Sequence, residues 1–303
     1  MKIAVFFLDP LARDYPLDKK EYWISYQELA AEIENLGGEF FVVRGQKTFL
    51  GNGKFSKSWQ FKNGNLVETG EISVDKIYDK SIDGVEFRGD GRTPILNPKF
   101  VNDVCTNKFL TAEIFPEFCP QTFLAKNETE FLENLKKIRT KKKVAKPVDG
   151  DEGKNVFIGD DEFLKKCPRK FPILLQEFLD SSDGIPGIFR GLHDFRVVAA
   201  NGEIIFSFFR TPAAGSLISN FSRGGRINFF DKKKIPPEIF PILKKIDEKF
   251  APHGDRVFGA DFVFTKNGPK IIELNSRVGL QQNSRHPSVK FFKKKLAEIL
   301  VKK

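Results

Sequence analysis

The sequence predicts a mixed α/β and α+β fold that begins with a small, doubly wound domain. Residues 3–8 form a short apolar run typical of a buried strand, residues 21–36 have helical spacing of apolar positions, and residues 39–43 form a second strand-like run. This β-α-β order is typical of a parallel sheet. From residue 122 onward short strands and helices alternate, which indicates a second and larger α/β or α+β region.

The composition is that of a globular chain with room for two domains. The 303 residues include 50 Lys and Arg against 40 Asp and Glu, which gives a formal charge of +10, and 40% are apolar. Charges of both signs are evenly mixed, which excludes disorder, and at about 150 residues per domain the length predicts two domains. No apolar run approaches the roughly 18–20 residues of a membrane helix, so we expect no membrane partner.

The cysteines, histidines and lysine runs carry no specific site. The three cysteines and three histidines lack the C-x-x-C and H-E-x-x-H spacings of redox and zinc sites, so we expect a reduced, cytoplasmic protein without a structural metal. Lysine runs at 141–143, 232–234 and 293–295 lie beside helix-like segments rather than among aromatic residues. Solvated faces are therefore favoured over a nucleic-acid surface, and we expect no nucleic-acid partner.

Local patterns predict the remaining elements in chain order. Asn63 and Gly64 favour a hairpin turn. Further strands are predicted at 74–78, 122–125, 144–146, 173–178, 195–200, 203–209, 259–264 and 270–275. Helices are predicted at 128–138, 160–167, 237–250 and 289–301. We divide the chain into three segments, 1–96, 97–187 and 188–303.

The hairpin predicted at residues 259–275 places oxygen-bearing side chains together. Glu273 and Asn275 point to one face, because side chains alternate along a strand. A two-residue turn at 267–268 would set Asp261 opposite Leu274, on the other face. A three-residue loop at 266–268, with a left-handed glycine as the bulge residue, sets Asp261 opposite Glu273 instead. This register also pairs Thr265 with Pro269 and leaves an apolar face of Phe262, Phe264, Ile272 and Leu274.

This register has a chemical consequence for Asp261 and Glu273. Directly opposed residues have Cβ atoms about 4.5–5.5 Å apart, so two carboxylates there repel unless a proton or a cation lies between them. Three hard oxygen donors favour Mg²⁺, which takes few protein ligands and completes its shell with water and phosphate oxygens. Taken alone, a surface hairpin with incidental acids stays an equal alternative.

A second motif joins a lysine to a glycine-containing loop. Residues 144–146 form a strand that ends at Lys146, and Gly150 and Gly153 follow in a loop whose backbone N–H groups can approach phosphates. The loop is not a Walker A motif, since Val148 and Asn155 stand where that motif needs Gly and Ser or Thr. An ordinary turn stays open as an alternative, and the acidic residues of this loop argue mildly against an anion site.

These pieces, in this order, resemble the ATP-grasp superfamily, and most closely its glutathione synthetase and ribosomal-protein glutamate ligase branch. The resemblance covers most of residues 96–280 and implies an ATP-grasp fold after a pre-ATP-grasp domain. It implies that Lys108 and Lys146 bind the nucleotide and that the loop from Gly150 to Gly153 closes over the triphosphate. The adenine hinge would be Gln176, Glu177 and Phe178, and the ribose acid Asp183 or Asp180.

The same resemblance implies the catalytic and metal residues. Arg196 and Arg210 would face the phosphates, and Asn220 and Gly225 belong to a segment typical of peptide-forming members. Two Mg²⁺ ions, for which Mn²⁺ can substitute, would be held by Asp261, Glu273 and Asn275. The chain departs from the family where Arg277, Val278 and Gly279 replace a common Ser-Pro-Gly.

The resemblance implies an ATP-dependent ligase that joins a carboxylate to an amine. The carboxylate becomes an acyl phosphate, the amine attacks it, and ADP and phosphate leave. The expected substrates are an amino acid or a short peptide, and a homo-oligomer is compatible because relatives are often dimers or tetramers. The alternatives are an ATP-grasp kinase that phosphorylates a hydroxyl and a basic nucleic-acid-binding protein.

Overall fold

The computed structural model describes residues 1–8, 16–81, 87–150, 154–213, 226–280 and 286–302. It divides into two compact units. The first unit comprises Met1–Val101, Phe250–Val257 and Arg277–Lys303, and the second comprises Asn102–Lys249 and Phe258–Ser276. The three-segment division predicted from the sequence stays a prediction, and these units differ from it because the C-terminal stretch packs with the N-terminal one. Across the described ranges, no helix has both the length and the apolar character needed to cross a bilayer.

The first unit is built on a seven-stranded sheet. Its elements up to residue 96 are β1 (Lys2–Phe7), α1 (Lys20–Asn35), β2 (Glu39–Arg44), β3 (Phe49–Gly51), β4 (Lys54–Lys62), β5 (Asn65–Ser73), β6 (Lys76–Asp79) and β7 (Ile95–Leu96). The strand order is β3-β4-β2-β1-β6-β7, and β5 pairs with β4. Strand β1 runs parallel to both β2 and β6, as the β-α-β opening predicted.

Apolar periodicity accounts for the helix and the hairpin of this unit. Helix α1 buries Tyr26, Leu29 and Ile33, which recur at three- and four-residue spacing and so share one face. The β4–β5 hairpin turns at Asn63 and Gly64, whose φ angles are 50° and 75°. Two consecutive left-handed residues are what the tightest hairpin turns require, and the predicted hairpin is confirmed.

The elements that follow β7 include both helices and strands. In chain order they are α2 (Lys99–Thr106), α3 (Lys108–Ile114), β8 (Thr122–Ala125), α4 (Glu128–Lys137), β9 (Lys143–Pro147), β10 (Phe157–Gly159), α5 (Asp161–Lys166), β11 (Ile173–Glu177), β12 (Asp194–Ala200), β13 (Glu203–Thr211), β14 (Arg226–Phe230), α6 (Ile239–Phe250), β15 (Val257–Thr265), β16 (Gly268–Asn275) and α7 (Pro287–Val301). Helix α7 belongs to the first unit.

Two separate sheets form the second unit. The four-stranded sheet has the order β10-β9-β11-β8 with antiparallel neighbours, and Phe131, Leu135 and Leu164 from α4 and α5 pack in its core. The five-stranded sheet has the order β14-β13-β12-β15-β16. Strand β15 is buried at eight of its nine positions, so a charged side chain on it costs free energy unless it is paired.

Candidate active site

A cavity in the second unit gathers many of the residues that the sequence singled out. Its walls come from both sheets of that unit and include Lys108, Lys146, Gln176, Arg210 and Glu273. Gly150, Glu177 and Phe178 also line it. Arg196, Asp261, Asn275 and Asp183 are not among the lining residues, and Asp183 is exposed.

Lys108 enters the cavity from the first turn of α3. Asn107 caps this helix, because its side-chain oxygen accepts the backbone N–H groups of Phe109 and Leu110, both at 3.0 Å. The Nζ atom of Lys108 lies 3.0 Å from Glu273 Oε1 and also donates to the carbonyl oxygen of Gly150. The predicted nucleotide lysine, the glycine loop and a predicted metal ligand therefore meet at one point.

Lys146 reaches the same region from β9. Its Nζ atom donates to the Ile272 carbonyl oxygen at 3.3 Å. Burial and the positive charge of Lys108 together lower the pKa of Lys146 to about 8, while Glu273 acts in the opposite direction. Two lysines that repel each other across one carboxylate form a site that an anion would stabilise.

The predicted hinge residues use their side chains for structure. Gln176 is buried, and its Nε2 atom donates to Thr122 Oγ1 at 2.7 Å. Glu177 Oε1 accepts the backbone N–H of Gln121 at 2.9 Å. Both contacts tie β11 to the start of β8 and fix the edge of the cavity. Any contact that these residues make with a nucleotide would therefore come from their backbone, as the resemblance implies.

Sequence reasoning missed the apolar walls of the cavity. Val144, Ile158, Val263 and Ile272 line it together with Leu192. An apolar slot with a few polar groups at one end suits a flat base attached to an anionic tail. The alternation of Val144 and Lys146 along β9 was a usable signal, because residues two apart share one face.

His193 is a second residue that the sequence analysis missed. It is buried and lines the cavity next to Asp194. Its Nε2 atom accepts the backbone N–H of Phe264 at 3.0 Å, so Nδ1 carries the proton and donates to the Gly191 carbonyl oxygen at 3.1 Å. Burial lowers the pKa of His193, so the ring is neutral and positions β15.

The β15–β16 hairpin confirms one predicted residue pair but has a different turn length from the predicted one. Asp261 lies opposite Glu273, as predicted. The turn contains two residues rather than three, since Thr265 pairs with Gly268 and not with Pro269. Counted back from that pair, an unbroken ladder would set Asp261 opposite Ile272.

An extra residue in β16 restores the predicted pair. The ladder shifts between Asp261 and Phe262, and Ile272 is the residue without a partner. The prediction that Ile272 lies on the buried apolar face is therefore wrong. Its side chain lines the cavity and its carbonyl oxygen accepts Lys146, while the neighbouring Ile271 is buried.

Asp261 belongs to a buried group of two arginines and two aspartates, which we call the paired cluster: Asp194, Arg196, Arg210 and Asp261. Arg196 donates from Nε to one oxygen of Asp261 and from Nη2 to the other. Arg210 Nη2 donates to Asp261 Oδ2 at 2.7 Å and also to Asp194. The two charges of each sign balance, which allows Asp194, Arg210 and Asp261 to be buried and Arg196 to be partly buried.

The pKa values of the two carboxylates in the paired cluster are shifted in opposite directions. Burial raises the pKa of Asp194 to about 7, Arg210 opposes the shift, and the neighbouring Asp261 adds to it. Burial also acts to raise the pKa of Asp261, but Arg196 and Arg210 outweigh it and the pKa is lowered. Asp261 is therefore the carboxylate that stays ionised beside the predicted metal site.

The three predicted metal ligands offer the oxygen donors that Mg²⁺ prefers. Glu273 and Asn275 share one face of β16, and Asp261 lies opposite Glu273. The buried Nδ2 atom of Asn275 has no hydrogen-bond partner in the described ranges, and an amide can present either its nitrogen or its oxygen at that position. Within the described residues no three His, Cys, Asp or Glu side chains gather, which is compatible with a site of two carboxylates and one amide.

Three predicted site residues lie outside the described residues. They are Gly153, Asn220 and Gly225. Their roles stay predictions from the resemblance.

Residues 107–300 match the family described as RimK-like ATP-grasp domain. Two curated relatives, from Psychromonas ingrahamii and Cellvibrio japonicus, are each named probable alpha-L-glutamate ligase. Each is 26% identical to this chain, over 168 and 170 residues, which covers 54% of this chain and 51% of the relative. The chain therefore spans about half the length of the curated relatives it matches.

Solved structures of low sequence identity resemble the whole chain. A RimK domain ATP-grasp protein from Sphaerobacter thermophilus has a TM-score of 0.62 at 14% identity, covering 99% of this chain and 100% of that chain. The D-alanine-D-alanine ligase from Bacillus anthracis, complexed with ATP, has a TM-score of 0.59 at 11% identity, covering 99% and 97%. Likenesses at such identities show the fold alone.

Proposed function

The chain belongs to the RimK-like ATP-grasp family, and from this premise we propose that it is an ATP-dependent ligase that joins a carboxylate to an amine. The fold supports this premise, because the ATP-grasp fold expected from the sequence is confirmed by the structural likenesses. In the proposed reaction the carboxylate takes the γ-phosphoryl group of ATP. The amine then attacks the acyl phosphate, and ADP and phosphate are released.

The observation that carries the proposal is the group formed by Lys108, Lys146 and Glu273 in a cavity that also has apolar walls. Phosphoryl transfer needs positioning and neutralisation of charge rather than a protein nucleophile. Lys108 and Lys146 supply two positive charges near the Gly150 carbonyl oxygen and the apolar slot. In this proposal they bind the phosphates while the slot holds the base.

The paired cluster supplies the second part of the site. Arg210 lines the cavity, and its Nε atom is buried with no hydrogen-bond partner among the residues that the structure describes. A guanidinium that keeps a free donor can contact a phosphoryl or carboxylate oxygen while Asp194 and Asp261 hold it in place. We assign to Arg210 the stabilisation of charge on the acyl phosphate, and to Arg196 the orientation of Asp261.

The proposed metal ligands are Asp261, Glu273 and Asn275. Bound Mg²⁺ would neutralise charge on the β- and γ-phosphates of the nucleotide. Protein cations pair with both carboxylates in this structure, since Arg196 and Arg210 contact Asp261 and Lys108 lies 3.0 Å from Glu273. We therefore infer that nucleotide phosphates draw Lys108 away and leave Glu273 free as a ligand.

The substrates are proposed at the level of chemical class. Relatives named alpha-L-glutamate ligase make L-glutamate the first amino acid to test, with short peptides as the other substrate class. We also retain the proposals of two metal ions, of a homo-oligomer and of a cytoplasmic location. The thiols of Cys105, Cys119 and Cys167 are free, which is compatible with a reducing compartment.

The experiment that tests the proposal combines two readouts. The purified chain is incubated with Mg-ATP and a panel of amino acids and γ-glutamyl peptides, phosphate release is followed, and the product mass is determined. We expect a product whose mass equals the sum of the two substrates minus one water, together with one phosphate per product.

The result that would contradict the proposal is a stable phosphorylated substrate without amide formation, which is the kinase outcome. Lys108→Met serves as the matched variant, because it removes the charge that meets Glu273 but keeps the side-chain length. Arg139→Gln is the control, since Arg139 is exposed. Equal phosphate release by wild type and Lys108→Met would also contradict the proposed site.

A further inference from the structure

A second group of polar and charged side chains, with two cations, lies in the first unit and takes no part in the site described above. It consists of Tyr78, Asp79, Lys80 and Arg277, and we call it the Arg277 cluster. Arg277 Nη2 lies 3.8 Å from Asp79 Oδ2, which is an ion pair beyond hydrogen-bonding distance. The Nζ atom of Lys80 donates to the Val278 carbonyl oxygen at 3.2 Å and lies 5.4 Å from the centre of the Tyr78 ring.

Arg277 holds two donors for which the described part of the chain offers no acceptor. Its Nε and Nη2 atoms are buried and have no hydrogen-bond partner among those residues. Leaving such donors unpaired costs free energy, because a buried polar group has lost its hydrogen bonds to water. The cost disappears when an acceptor occupies the position that the two atoms face.

Another arginine of this chain shows which kind of acceptor fits the guanidinium edge formed by Nε and Nη2. In the second unit, Arg196 uses the same two atoms, Nε and Nη2, to bind both oxygens of the Asp261 carboxylate. Parallel N–H groups at this spacing match the two oxygens of a carboxylate or of a phosphate. Asp79 does not fill this role, since its Oδ1 atom accepts the backbone N–H and the hydroxyl of Ser81.

The charge of the Arg277 cluster favours a carboxylate over a phosphate. Lys80 and Arg277 contribute two positive charges and Asp79 one negative charge, so one positive charge is left over. Burial and the charge of Arg277 together lower the pKa of Lys80 to about 7 against the opposing effect of Asp79, so Lys80 carries its full charge below pH 7. A single negative charge between Lys80 and Arg277 completes the balance, whereas a dianion exceeds it.

We propose that Lys80 and the Nε and Nη2 edge of Arg277 bind a carboxylate group of the amino acid or peptide substrate. This inference rests on the proposed function, which supplies such a substrate. Two sequence facts support it. Arg277 stands where the family often has a serine, and it follows the proposed metal ligand Asn275 by two residues along the chain. A substrate carboxylate held there is bound, not reacting, and it distinguishes amino acids from simple amines.

The test measures binding of L-glutamate by calorimetry to the full chain saturated with Mg-ADP. We expect Arg277→Lys, which keeps the charge but loses the two-donor edge, to weaken binding by about tenfold or more. Lys80→Met should weaken it to a similar extent. Lys62→Met and Arg139→Gln are the matched controls, since both side chains are exposed, and they should bind as the wild type does.

A second readout is the pH dependence of binding. The groups that act on Lys80 are Asp79 and Arg277, and the bound carboxylate would raise the pKa of Lys80 above its free value of about 7. Affinity for L-glutamate should therefore fall as pH rises from 7 to 9 in the wild type. Lys80→Met should lack this dependence.

Each outcome decides the inference separately from the proposed function. Wild-type affinity in both Arg277→Lys and Lys80→Met would overturn it, even if the wild type forms an amide product. No binding of L-glutamate by the wild type, or binding of inorganic phosphate in its place, would overturn it too. Loss of L-glutamate binding in both folded variants supports the inference, even if product analysis shows that no amide is formed.

Discussion

The paired cluster and the Arg277 cluster use the same residue types with opposite results. In the paired cluster, two arginines and two aspartates balance, and Asp261 accepts three N–H groups. In the Arg277 cluster, two cations meet one aspartate. Among the described residues Arg277 lacks a partner at both Nε and Nη2, whereas Arg210 of the paired cluster lacks one only at Nε. Balanced charges can be held by the protein alone, whereas unbalanced buried charges indicate a missing ligand. The comparison predicts that mutations affect stability in the paired cluster and ligand binding in the Arg277 cluster.

The largest loss of stability is expected for a substitution in the paired cluster, where the protein supplies charges of both signs. Asp261→Ala leaves Arg196 and Arg210 buried without their shared partner, and we expect the free energy of unfolding to fall by about 3–5 kcal/mol. Denaturant titration measures it. Glu68→Ala is the control, because Glu68 pairs with Lys57 at 2.9 Å on an exposed hairpin, where a pair contributes about 0–1 kcal/mol. Equal losses in both variants would contradict the comparison.

Arg210 tests whether the balanced cluster also acts on the reaction. We expect Arg210→Ala to lower turnover by about 10²- to 10³-fold, because it removes a donor directed at developing negative charge. ADP binding should be retained. Turnover is measured on protein shown to be folded by circular dichroism, with Arg139→Ala as the control. Near-normal phosphate release by Arg210→Ala with the true substrate would remove Arg210 from the reaction.

A substitution at Glu273 tests whether this residue binds Mg²⁺ together with Asp261 of the paired cluster. Glu273→Gln keeps the size of the side chain and removes its charge, so the magnesium concentration for half-maximal activity should rise by about tenfold or more. Magnesium titrations of wild type and variant measure this change. Glu71→Gln, on the exposed β4–β5 hairpin, should leave the titration unchanged. An unchanged titration for Glu273→Gln as well would remove the metal assignment.

The pH dependence of stability tests whether Lys80 in the Arg277 cluster has a lowered pKa. Lys80 has a pKa of about 7 in the folded chain against about 10.5 when unfolded, so between these values the unfolded chain binds more protons. The free energy of unfolding should therefore rise with pH from 7 to 9, while affinity for L-glutamate falls. Denaturant titrations at several pH values should show a smaller rise for Lys80→Met than for the wild type. Identical slopes would show that Lys80 titrates normally.

The smallest expected effect concerns Tyr78. Its hydroxyl is buried and has no partner for a hydrogen bond within the described part of the chain, and burial together with Asp79 raises the pKa of Tyr78. Tyr78→Phe removes this unsatisfied group and should stabilise the free protein by about 1 kcal/mol. Thermal unfolding measures it. A destabilised variant would indicate that the hydroxyl has a partner in solution.

The sequence was sufficient for elements whose pattern is local. The apolar run of β1, the helical spacing of apolar positions in α1 and the Asn63–Gly64 turn each act over a few residues, and each element appears where predicted. Short strands such as β3, β10 and β14 were missed, because three to five residues provide too little periodicity.

The sequence was insufficient wherever distant side chains meet. The predicted pair of Asp261 and Glu273 is confirmed, but through a two-residue turn and an extra Ile272 rather than through a three-residue loop. The partners of Asp261 lie 51 and 65 residues away, and no local pattern records them. Lys80 and Arg277 look like ordinary charged residues in the sequence, since only burial makes their unbalanced charge informative.

The extra residue in β16 divides the β15–β16 hairpin into two independent parts. On one side, the pairs of Gly259 with Asn275 and of Ala260 with Leu274 set the position of the carboxylates. On the other side, the ladder from Phe262 to the turn follows its own alternation. Changes in loop length at the tip therefore need not propagate to the proposed metal ligands. A short peptide inserted at this tip is expected to leave Asp261 opposite Glu273.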